Sequence, residues 1–160
     1  MSRIDWSDDE ERPGQFALWR ANTARSICGR EGQRALQELR AALLAMPHRR
    51  LIAHELVTPE GEVCAVGALV TLRADPDWQT ASLIASERWH REDPDWWEPD
   101  TTMEAGMSVG IPRLVAWRLV ELNDMDLDAV SPEERWERVF AWAGDHLSMT
   151  LAGAIAEAVG

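Results

Sequence analysis

The chain has no lysine, no tyrosine and only two cysteines. No apolar run approaches the ~20 residues of a membrane span. All sixteen basic residues are therefore arginine, a bias that coding composition alone can produce and that carries no functional reading. Cys28 and Cys64 are too few for a disulfide framework, and neither sits in a CxxC or Cys/His metal spacing. Both read as free, mostly buried thiols. The N-terminal run MSRIDWSDDEE is the opposite of a secretory leader, so the expectation is a soluble protein of the cytoplasm with no membrane partner.

Familiar chemical motifs are missing as well. Gly29 and Gly32 precede an amphipathic run but lack the Lys-Ser/Thr of a phosphate loop, and no strand signal comes before them. They read as a helix–helix corner. Asp124, Asp126 and Asp128 have the alternation of a calcium loop without its glycine or its later glutamate. His90 stands beside Glu92 and Asp93 with no nucleophile in the pattern. No catalytic residue, metal ligand or cofactor follows from the sequence, and the expectation is a protein that is not an enzyme.

What is present is helical periodicity. At 160 residues the chain has the length of one domain, able to bury ~68–70% of its unfolded surface. Residues 1–14 are charged and turn-prone and read as a loose segment, with 15–160 forming a single helical domain. Phe16, Trp19, Thr23 and Ile27 line one face of a helix ending near Gly29. From Gln33 to Met46, the residues Leu36, Leu39, Leu43, Leu44 and Met46 recur every three or four positions, and Pro47 closes that helix. Leu51–Val57 and Glu62–Cys64, joined by Thr58-Pro59-Glu60-Gly61, predict a short β-hairpin whose second arm passes into a small-residue helix through Leu72. A strand continuing to Val70 is the competing reading.

Asp75-Pro76-Asp77-Trp78 starts a further helix through Trp89, whereas Glu98-Pro99-Asp100 reads as a loop. Thr101 and Thr102 cap the next helix. Ser131-Pro132-Glu133-Glu134 is a strong helix start, with Trp136, Val139, Phe140, Ala143 and Leu147 as the buried stripe behind it. The fold class is thus mainly α, α+β at most: about six or seven helices with one short β-hairpin.

The run GxxGQxxLxxLxxALxxMPxxRLIxxELV, followed by GEVCAVGA, resembles a group of uncharacterised small proteins of bacteriophages and prophages. The stretches GIPxLV…ND and SPEERWERVxAW resemble the same group, and together the matching segments cover about two-thirds of the chain. The resemblance implies a phage-linked origin, hence the cytoplasm of an infected or lysogenic bacterial host. It carries over no activity, cofactor or site residue.

Charge supplies the functional expectation. Residues 1–75 hold ten arginines against eleven acids, and residues 76–160 hold six against seventeen, so the net −12 lies almost wholly in the second half. That sign repels nucleic-acid backbones and favours basic partners. The segment DPDWWEPD sets two adjacent tryptophans among acids, and large aromatics on loops make binding anchors. Asp93, Asp95, Trp96, Trp97, Glu98 and Asp100 are therefore the candidate partner-binding residues for an unidentified protein with a basic surface. An inhibitor of a host defence or nucleic-acid enzyme is the specific form of this reading. The alternative is a helix-turn-helix DNA-binding regulator built from residues 102–121, with Arg113 and Arg118 facing the major groove. A small enzyme of unrecognised type is the third.

Overall fold

A computed structural model describes residues 13–75, 77–79, 99–125, 130–148, 152, 153 and 156. Six helices are formed among them: α1 (Pro13–Cys28), α2 (Arg30–Ala45), α3 (Ala65–Arg73), α4 (Pro99–Ser108), α5 (Arg113–Asp124) and α6 (Pro132–His146). The mainly helical class is as expected. Helix α3 occupies the centre, with α2, α4 and α5 packed around it, while α6 lies along α2 and α1 joins α2 and α5.

Helix α3 owes its position to its sequence. Ala65 to Val70 are all buried, because a run of small and branched apolar residues has no polar stripe to turn outward. Gly67 allows the closest approach. A Cβ there would stand 2.4 Å from the Leu56 carbonyl oxygen and 2.9 Å from the Val63 Cβ, so the preceding loop lies directly on the helix backbone. Gly32 does the same for α1 and α2, where a Cβ would stand 2.0 Å from the Ser26 carbonyl oxygen.

The stripe of α2 is Ala35, Leu36, Leu39, Ala42 and Leu43. Leu44, counted in the stripe from spacing alone, is 55% exposed, because its neighbour Leu43 already faces the core and a one-residue step turns ~100° around the helix. Two polar clasps tie α2 to α6. Near the start of α2, Gln33 Nε2 donates to the carbonyls of Ile27 and His146, each at 3.0 Å, while the Ser148 N–H donates to Gln33 Oε1. Near its end, Trp136 and Phe140 stack at 4.9 Å. Arg40 lies 4.7 Å from the Phe140 ring centre and Arg49 lies 4.8 Å from that of Trp136. The Trp136 indole N–H donates to the Leu43 carbonyl at 3.2 Å.

Three expectations change. The hairpin reduces to a single antiparallel bridge, Val57 to Val63, with the Pro-Glu-Gly turn closed by Thr58 N–H donating to the Glu62 carbonyl at 2.8 Å. The arm Leu51–Val57 forms no continuous strand: other elements take the Leu51 N–H (Pro132 carbonyl), the Leu51 carbonyl (Arg135) and the Ile52 carbonyl (Asn123), leaving only the Ile52 N–H to the Val63 carbonyl and the Cys64 N–H to the Leu56 carbonyl between the arms. The strand alternative to Val70 gives way to α3. Pro99 and Asp100 begin α4 instead of forming a loop, so Thr101 and Thr102 lie within the helix and do not cap it; proline suits a first helical turn whose N–H groups have no internal partner.

Helix α6 starts as its capping signal predicts, with Ser131 Oγ accepting from the Glu134 N–H at 3.1 Å. Trp136, Val139 and Ala143 are buried, Phe140 and Leu147 are half-buried, and Arg135, Trp142 and His146 are buried in addition. The expected helix through Trp89 and the loose segment fall mostly outside the described residues.

Gly67→Ala is expected to destabilise the protein by about 2–3 kcal/mol, because backbone rather than a flexible side chain blocks the new methyl. Gly144→Ala makes only ordinary contacts with Arg40, at 3.6–3.9 Å, and should gain ~0.5–1 kcal/mol of helix propensity. Urea unfolding reads both. A Gly67→Ala midpoint equal to that of the parent would refute the close approach.

Candidate functional site

Where the 51–64 loop meets the first turn of α3, the start of α4 and the last turn of α5, the surface folds inward. His54, Glu55, Cys64, Val66, Thr102, Val120, Asn123 and Asp124 line this cleft, whose empty volume is about 190 Å3 including its open mouth. Most of that volume is open solvent, so the cleft is a shallow dent, far too small for a metabolite of ordinary size.

Asn123 holds the site together. It is 2% exposed, and its side chain spans three elements. Its Oδ1 accepts from the Ala65 N–H at 3.0 Å, and its Nδ2 donates to the Ile52 carbonyl at 2.8 Å and to Asp124 Oδ1 at 2.9 Å. Asp124 Oδ1 also accepts from the His54 N–H at 3.1 Å. His54 adopts a left-handed backbone, φ 67°, which costs a side-chain-bearing residue about 1 kcal/mol or more. The bond to Asp124 helps to hold it there. Cys64 caps α3, its Sγ accepting from the Gly67 N–H at 3.4 Å.

A cysteine, a histidine and a carboxylate sharing one cleft invite comparison with a thiol nucleophile, but the electrostatics run the other way. Burial pushes the Cys64 thiol up to about 12, and the nearby Asp124 charge adds to that, outweighing the hydrogen bond from Gly67. A nucleophilic cysteine needs its pKa lowered, not raised. Cys64 is a capping and packing group. Among the described residues no three His, Cys, Asp or Glu side chains gather as a metal site.

The other polar cluster is structural. Glu38 receives Arg73 Nε at 2.6 Å and Arg34 Nε at 3.0 Å, and Arg73 Nη1 donates onward to the Val109 carbonyl. Burial raises the Glu38 carboxyl, and the two arginines more than reverse this, leaving it below its ordinary value.

The residues singled out from sequence fall as follows. Asp93, Asp95, Trp96, Trp97 and Glu98, with His90, lie outside the described residues, and Asp100 is in the first turn of α4. Arg113 is exposed at the start of α5, whereas Arg118 Nη1 pairs with Glu121 at 2.7 Å. Neither arginine lies in the cleft. From sequence, Asp124 stands out only by its calcium-loop alternation with Asp126 and Asp128, and Asn123 not at all. The one signal that could have marked them is their place at the end of the apolar run LVAWRLVEL, within reach of whatever that helix packs on. No protein-family model matches the chain, and no curated protein or solved structure matches it.

With neither lysine nor tyrosine in the chain, cysteines are the side chains that titrate between pH 9 and 12. The unfolded chain releases the Cys64 proton near its ordinary value of 9.0 while the folded protein keeps it to about 12. Stability is therefore expected to be level below pH 9 and to fall above it, by up to ~1.4 kcal/mol per pH unit. Denaturant melts across this range should show the fall, and Cys64→Ser should flatten it. An unchanged slope in that variant would remove Cys64 as the cause.

Proposed function

We propose that this chain is a phage-type accessory protein that acts by protein–protein binding, presenting its acidic second half to a partner with a basic surface. An inhibitor of a host defence or nucleic-acid enzyme is the form that fits best, because such enzymes carry basic surfaces for phosphate backbones. One observation carries the reading: among the described residues of the second half, acids point outward while three of the four arginines are engaged with the protein's own groups. Asp77, Glu104, Glu121, Glu133, Glu134, Glu137 and Asp145 are exposed. Arg135 is buried on the carbonyls of Leu51 and Val130, Arg138 donates to the Met125 carbonyl and Arg118 pairs with Glu121. An exposed field of one sign steers an oppositely charged partner.

The tryptophan part of the reading belongs to Trp96 and Trp97. Of the described tryptophans, Trp136 and Trp142 are buried and Trp19, Trp78 and Trp117 are half-buried, so those five serve packing first. The helix-turn-helix reading draws on α4 and α5, which are joined through Gly110 at φ 85° and pack through Gly106 against Ala116. A recognition helix needs one free face and several donors. Helix α5 instead packs against α1, α3, α4 and α6, and only Arg113 and Glu121 of its residues are fully exposed.

Binding of a fluorescent arginine-rich peptide, followed by anisotropy, is expected to be saturable and to weaken as salt rises. The quadruple variant Asp93→Asn, Asp95→Asn, Glu98→Gln, Asp100→Asn should weaken it roughly tenfold, since four charge contacts of a few tenths of a kcal/mol each sum to about 1.4 kcal/mol. A low-salt gel shift with duplex DNA should show no retention. Retention of DNA without peptide binding would overturn the reading in favour of the regulator.

A further inference from the structure

Helices α2 and α6 lie side by side and antiparallel. Gln33, near the start of α2, bonds the His146 carbonyl at the end of α6, and the Trp136 indole, near the start of α6, bonds the Leu43 carbonyl near the end of α2. Their inner stripes go to the core, and their outer stripes form one surface. On α2 that surface carries Ala41 and Leu44, the latter 55% exposed, and on α6 it carries Glu137 and Ala141. The half-buried Arg40 and Phe140 fill the groove between the helices, with Gly144 beside the guanidinium. We propose that this face docks on the same face of a second copy of the chain. The two-fold axis runs parallel to the helix pair, so that α2 of each copy lies over α6 of the other.

Charge complementarity points to a second copy. Arg40 and Arg49 lie over the rings of Phe140 and Trp136, and among the described residues neither makes a hydrogen bond or an ion pair. Arg40 Nε is buried with no acceptor at all. On α6 the carboxylates of Glu134, Glu137 and Asp145 are exposed and equally without an ion pair. Cations thus run along one helix and acids along its neighbour, unpaired within the chain. The turn that holds Arg49 sits at the first turn of α6, as the Arg50–Glu133 pair at 3.4 Å shows, so the proposed axis brings Arg49 to Glu134 and Glu137 of the second copy. A two-fold axis across the helices would instead set arginine on arginine and acid on acid, which like-charge repulsion disfavours. A guanidinium held flat on a ring is already oriented for a carboxylate. Copies of a chain with net charge −12 repel one another, so self-association needs a face with arginines of its own. Leu44 adds the apolar part, leaving water against Phe140 and Ala141 of the second copy. Helix α2, with 16 residues, is about 24 Å long, and a face two helices wide gives about 1,000 Å2 over both copies, the lower limit of a specific interface. The dimer is therefore weak and concentration-dependent. It does not draw on the basic-partner reading, since Asp77, Glu104 and Glu121 lie off this face and stay exposed.

Sedimentation equilibrium of the full chain tests this. The mean mass is expected to rise from one chain toward two as the protein is concentrated to about 1 mM. Leu44→Asp should weaken association tenfold or more, whereas Leu72→Asp, at a leucine 52% exposed on α3, should leave it unchanged. Arg49→Glu and Glu137→Arg should each weaken it fivefold or more. Mixed together, those two variants should associate better than either alone, because each pairs the other's reversed charge. A role within one chain produces no such rescue. A monomer at every concentration would overturn the proposal, and so would a dimer that survives Leu44→Asp or a mixture no better than its parts. If Leu44→Asp lowers the urea midpoint in dilute solution, the charge-swap mixture decides alone. Binding of the arginine-rich peptide by a chain that stays monomeric would remove the dimer and leave the basic-partner reading standing.

Discussion

Helix α3 is nine residues long, well under the length at which a helix holds in water by itself, and its first six residues are buried. Burying a helix start leaves N–H groups without water, and each must find an acceptor or cost about 1–3 kcal/mol. Cys64 supplies one acceptor and Asn123 supplies another from a residue 58 positions away. The rest of the molecule is arranged around that requirement. Helix α5 has to end beside the start of α3, the 51–64 loop has to lie flat on Gly67, and α2 and α4 close the remaining sides.

The same requirement produces the cleft. Asn123 cannot cap α3 and hold the Ile52 carbonyl without bringing Asp124 to the loop, where it takes the His54 N–H. A carboxylate thus ends up fixed at the negative end of a helix beside apolar wall. An arrangement that serves folding leaves a charged feature facing solvent, and the surplus of acids in the second half gives that feature its sign. Arginine plays the complementary part: Arg135, at 4% exposure, is a strut between carbonyls, and Arg40 and Arg49 lie over aromatic faces. A planar, permanently charged group suits both uses.

Much of the helical framework is legible in order. Helix α2 shows because an apolar stripe at threes and fours has one physical solution, and α6 shows because serine, proline and glutamate stand in their capping places. The 51–57 arm misleads because branched residues favour strand only where a backbone partner runs alongside, and here Leu51 and the Ile52 carbonyl are held by α5 and α6, leaving only scattered backbone bonds to residues 63 and 64. Leu44 misleads because the core-facing stripe is already filled by Ala42 and Leu43, and one further step turns its side chain to water. Of the cleft, only the turn at Gly61 and the small-residue helix were legible. Asn123 and Asp124 gain a role only once α5 is seen to end against α3.

By itself the sequence determined the helical class, the capped start of α6, the arginine-only basicity and the concentration of acids after residue 75. These depend on local periodicity, cap chemistry and composition, which need no partner to be read. Only the tertiary structure decided which arginines turn inward, which thiol is sealed, and that His54, Asp124 and the start of α3 share one cleft. Those outcomes depend on contacts between residues 58 to 84 positions apart. Nothing short of the packed fold brings such pairs together.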